Sequence, residues 1–93
     1  MNMDSFKKAE IERMMETLID SISRAEDSIA DKQSDIEYWT GKLHDENTTL
    51  EEAKEIASTI SYIQEVAIPI VEASMETFQY SLAECEEALA YFD

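Results

Sequence analysis

The stretch IERMMETLIDSISRAEDSIADKQSDIEYWTGKL, Ile11 to Leu43, decides the fold. Within it Ile11, Met15, Leu18, Ile22, Ala25, Ile29, Lys32, Ile36, Trp39 and Leu43 recur in alternating steps of four and three. That 3.5-residue repeat keeps one apolar stripe turned toward a packed neighbour along the whole length of a helix. Lys32 alone interrupts it, and a polar residue at one seam position commonly fixes register or partner number at some cost in stability. Glu12, Glu16, Asp20, Asp27, Asp31 and Asp35 occupy the other side, in steps of four around Arg24. The helix is amphipathic.

Moving outward from that stretch, His44-Asp45-Glu46-Asn47-Thr48-Thr49 has no apolar residue and reads as the turn. Thr49 and Glu52 have the spacing of a capping box, in which a hydroxyl and a carboxylate satisfy free backbone N–H groups at a helix start. Glu51 and Glu52 also suit the positive end of the helix dipole. The second arm carries its apolar residues in two registers. Ala53, Ile56, Ile60, Ile63, Ala67 and Ile70 form one seam; Val71, Met75, Phe78, Leu82, Cys85, Leu89 and Phe92 form another, shifted by one position. The shift falls beside Pro69, which lacks an N–H and crowds the carbonyl four residues back, so the helix is expected to kink or break near Ile68.

The expected fold is therefore all-α. It is an antiparallel helical hairpin, or coiled coil, of two long helices, the second kinked or broken near Pro69, with a three-helix bundle as the alternative. Its single domain spans 1–93, with a helix over about 5–42, a turn at 43–49, a helix over about 50–68 and another over about 69–92. One Gly and one Pro in 93 residues leave too little turn chemistry for a sheet. A lone two-helix hairpin buries little. Dimerisation into four helices, or a fold-back of the last helix at Pro69, would complete a core.

Composition narrows the function. An apolar content of 44% is too high for a disordered acidic tail. The 22 acidic against 7 basic residues give a net charge of −15, which phosphates and anionic membranes repel. The expected partner is a protein with a basic surface, a second copy of the chain being a further candidate, with no direct nucleic acid and no membrane. Acidic helices also serve solubility alone. No stretch approaches the roughly 20 apolar residues of a membrane span. Residues Met1 to Lys8 lack the apolar core of a signal peptide, and Cys85 stands alone. These features point to the cytoplasm, with secretion as the alternative.

Catalysis needs converging groups of tuned pKa in a sheltered pocket. The chain has one His, His44, in the turn, and one Cys, Cys85, on a seam. The Glu-x-x-His pair of di-metal bundles is absent, and the acidic turn lacks the Gly and ligand spacing of a calcium loop. No catalytic, cofactor or metal site is expected, and the chain reads as a non-enzyme. After Lys54 there is no Lys or Arg, while Glu86, Glu87 and Asp93 load the negative end of the last helix.

Three functions fit. A rod about 60 Å long with 15 net negative charges has one per roughly 4 Å of axis, against one per about 1.7 Å for duplex DNA. In size and charge the chain resembles the small acidic inhibitors that bacteriophages direct against restriction, recombination or CRISPR nucleases. That resemblance implies a DNA mimic in the host cytoplasm, with Asp27, Asp31, Asp35, Glu72, Glu76, Glu84 and Glu87 as its partner-binding acidic face. Trp39-Thr40-Gly41 near mid-chain, with Tyr80 and Glu84 at Tyr-x-x-x-Glu spacing, resembles the Trp-x-Gly hairpin family of type VII secretion. That resemblance implies an exported hairpin; the long polar turn after Gly41, the high charge and the free Cys depart from the family. The third function is a coiled-coil adaptor or assembly subunit whose apolar seam binds its mate.

Overall fold

In the computed structural model, which describes residues 3–92, α1 runs Met3–Leu43 and α2 Leu50–Tyr62. A π-helical turn over Ile63–Ala67 follows, and α3 runs Ile68–Ala90. No strand occurs among the described residues. The fold is all-α, an antiparallel helical hairpin.

The turn is built by side chains that close the helix ends. At the end of α1 the His44 N–H donates to the Thr40 carbonyl at 3.3 Å and Asp45 N–H to Lys42 at 3.2 Å. The Thr48 hydroxyl also donates to the Lys42 carbonyl, at 2.6 Å, satisfying an acceptor that a helix terminus leaves open. The Asp45 carboxylate accepts the Asn47 N–H at 2.8 Å, an Asx turn. Thr49 is extended (φ −74°, ψ 163°) and its hydroxyl oxygen accepts the Glu52 N–H at 3.2 Å. The Glu52 carboxylate accepts a hydrogen bond from the Thr49 hydroxyl at 3.0 Å instead of one from a backbone N–H. Only the hydroxyl half of the expected capping box forms.

The chain divides into two compact units, Met1–Glu26 with Ser74–Asp93, and Asp27–Ala73. In the first, Ile11, Met15, Leu18 and Ile22 of α1 and Met75, Phe78, Leu82 and Leu89 of α3 are half-buried, and Ala25 and Cys85 fall to 8% exposure. In the second, Ile29, Ile36, Trp39 and Leu43 of α1 and Ala53, Ile60, Ile63 and Ala67 beyond the turn are half-buried, and Ile56 falls to 7%. Lys32 sits in this seam, half-buried, with its ammonium donating to Ser28 Oγ at 2.9 Å one turn back. No described side chain is fully enclosed. Each unit is a seam between two helices, with no third layer over it.

The register shift is absorbed without a break. Regular steps from Ile63 and Ala67 would next bring Ile70, then Ser74 and Thr77, into the seam. The structure leaves Ile70 61% exposed and half-buries Ile68, Val71 and Met75, so placing Ile70 in the seam is corrected. One surplus residue in an α-helix rotates everything after it by about 100°. The π turn takes up that residue: the Ile68 N–H donates to Ile63, five residues back, and the apolar face resumes. Ile68 stays in the right-handed helical region (φ −64°, ψ −48°), and no loop separates the π turn from α3. The fold-back at Pro69 is not formed. Pro69 stands just past the π turn, where a missing N–H costs least because the four-residue ladder is already interrupted.

If the surplus residue, and not the proline, forces the π turn, Pro69→Ala leaves the turn in place. Its gain in unfolding free energy by urea titration is then well below the roughly 3 kcal/mol of a mid-helix proline. A gain of that full size would assign the distortion to the ring.

Candidate functional site

Seam positions dictate which carboxylates face water. Because Ala25, Ile29, Lys32 and Ile36 turn inward, Asp27, Asp31 and Asp35 stand on the outer side of α1, and all three are exposed. They form one ladder with a rise of roughly 6 Å per step. Glu72, in the same unit on α3, is exposed too. Glu76, Glu84 and Glu87 belong to the other unit and lie exposed on the outer side of α3, behind Met75, Leu82, Cys85 and Leu89. The seven candidate residues thus divide into a group of four and a group of three. Asp93 lies outside the described residues.

None of the seven is engaged by a side-chain hydrogen bond or an ion pair among the described residues. The nearby cations are used elsewhere. Lys54 meets Glu51 at 3.7 Å, both largely exposed, a pair of little energetic weight. Lys42 lies 5.8 Å from the centroid of the Tyr38 ring. The Arg24 side chain donates to the Asp20 carbonyl at 3.4 Å. Carboxylates fixed on a helix with no counter-ion from their own chain keep their field available to a partner.

His44 is exposed at the end of α1, with no carboxylate or thiol bonded to its ring. Cys85 is buried in the seam, its thiol donating to Met14 Sδ at 3.6 Å. No group of three His, Cys, Asp or Glu able to hold a metal ion occurs among the described residues. No described helix is long and apolar enough to cross a membrane. Trp39 is half-buried in the seam, edge-on to Tyr38 at 5.1 Å and 75°. Gly41 lies inside the last turn of α1, and a Cβ there would meet nothing within 4 Å, so packing does not require a glycine. Tyr80 (69% exposed) and Glu84 face solvent one turn apart on α3.

Sequence reasoning missed an apolar flank beside the seam in the first unit. A groove there is lined by Lys7, Glu10, Ile11, Arg13, Met14 and Phe92. A second, sharing Phe92, is lined by Glu84, Glu87, Ala88 and Tyr91. Met14 and Tyr91 are 58% and 85% exposed. The signal lay in positions one before the seam: Met14 and Ser21 on α1, and Ser81 and Ala88 on α3, are apolar or small where a lone hairpin would carry charge.

Replacing Glu86 by Gln removes one anion from the negative end of α3. The unfolding free energy should then rise slightly, by a few tenths of a kcal/mol, with helix content unchanged by circular dichroism. A fall would give this carboxylate a structural role. Comparison with family models, curated proteins and solved structures returns no match for this chain.

Proposed function

We propose that this chain is a non-enzymatic binding protein that lays its outward carboxylates against the cationic surface of a protein partner. A nucleic-acid-handling protein is the partner whose groove such a surface suits, so the chain would act as an inhibitor by DNA mimicry, in the cytoplasm where that partner works. The observation behind this reading is the ladder Asp27, Asp31, Asp35: exposed, helix-mounted and without an ion pair among the described residues. Its roughly 6 Å rise is about twice the 3.4 Å axial spacing of phosphates along one DNA strand, close enough for alternate basic side chains to engage. The carboxylates Glu84, Glu86 and Glu87 near the end of α3 agree with it. They oppose the helix dipole, and no hydrogen bond or ion pair of their side chains occurs among the described residues.

A partner held this way should be captured from a lysate by the immobilised chain at low salt and released by high salt. Its affinity should fall at least about tenfold across that range as the charges are screened. Duplex DNA should compete for the same partner. The triple variant Asp27→Asn, Asp31→Asn, Asp35→Asn should fold as before and capture less. Retention unchanged by salt and by this variant would exclude the carboxylate surface as the binding face.

A further inference from the structure

We propose that a second copy of this chain covers the apolar flank of the first unit, forming an isologous dimer in which the α1 edge of one copy meets the α3 edge of the other.

The first argument is area. A folded monomer of 10.7 kDa is expected to expose about 5,500 Å². This chain exposes 6932 Å², an excess of about 1,400 Å². A standard interface covers about 800 Å² of each partner and obligate dimers cover more, so the excess is enough for a stable dimer. It agrees with the burial pattern, in which no described side chain is fully enclosed and only Ala25, Ile56 and Cys85 fall below a tenth.

The second argument is charge, and it selects the occupant. On the flank, Ile11, Met14, Phe92, Ala88 and Tyr91 make an apolar strip. Its α1 edge carries Lys7 and Arg13 with Glu10 between them, a net positive edge, and its α3 edge carries Glu84 and Glu87. A two-fold axis along the strip places each cationic edge on the other copy's anionic edge, twice over. That is the self-complementarity an isologous contact demands. Residues 55–93 hold no Lys or Arg, so α3 has no cation of its own to offer those carboxylates. Half-buried Ser21, Ser81 and Ala88 beside the strip let helices approach closely. The two chains repel at long range, but at physiological salt that repulsion is screened over about 8 Å, which leaves the edge contacts to decide. This inference does not rest on the proposed basic partner, because the apolar strip and its Lys7 and Arg13 edge take no part in that contact, although Glu84 and Glu87 enter both readings.

The test is the mass of the full chain by sedimentation equilibrium from micromolar to millimolar concentration, with helicity followed on dilution. The expected result is two chains, dissociating on dilution with loss of helix. Arg13→Glu and Glu87→Arg should each raise the dimer dissociation constant at least about tenfold, or about 1.4 kcal/mol. The double variant should return to within about threefold of the parent. Generic repulsion between anionic chains predicts the opposite for Glu87→Arg, a tighter dimer, so the sign of that one change is decisive. Both positions are exposed on helices, and Glu and Arg are both good helix formers, so the variants keep the fold. One chain at every concentration, a larger assembly, a dimer indifferent to the single changes, or a double variant no better than the singles would each overturn the proposal.

Discussion

Two helices joined by one apolar seam have no interior in the usual sense. Each seam side chain is covered by the opposite helix on one side and meets water on the other, which is why Leu18, Ile22, Phe78 and Leu82 stay half-buried. Only Ala25, Ile56 and Cys85, among the described residues, reach lower exposure, at 7 to 8%. Hydrophobic burial scales with the area removed from water, so a seam that covers only half of each side chain yields about half the stabilisation. Everything else follows from that shortfall: the long apolar repeat of α1, the tightly satisfied turn and the pressure to cover what remains.

Register is the second constraint. A seam tolerates no net rotation of one helix against the other, and a single surplus residue supplies about 100° of it. The Ile63–Ala67 π turn is the local solution, and Pro69 sits where the hydrogen-bond ladder is already irregular. Ile70, placed in the seam by counting, is carried out to solvent by the same adjustment. The irregularity therefore belongs to the geometry of the seam, and the proline is accommodated within it.

Charge completes the picture. With the seam consuming the inward positions, 22 acidic residues have only the outer sides of the helices to occupy. Those on the ladder of α1 and near the end of α3 form no ion pair among the described residues. The ladder of α1 and the apolar flank are built from different residues, but Glu84 and Glu87 belong to both the outward carboxylates and the edge of the flank. In the two proposals the ladder serves the cationic partner, and those two carboxylates can serve only one contact at a time.

The sequence by itself determined the helical class, the seam of α1 to the residue, the turn at His44–Thr49 and the outward placement of Asp27, Asp31, Asp35 and the α3 carboxylates. Each of these depends only on periodicity and local hydrogen bonding, which a linear string records directly. Tertiary structure alone decided how the second arm handles its surplus residue, which half of the capping box forms, and which apolar residues beside the seam stay open. Those outcomes depend on how one helix presses against another across space. Counting along a chain detects that a register shifts; only packing decides whether the backbone breaks, kinks or widens by one residue to repair it.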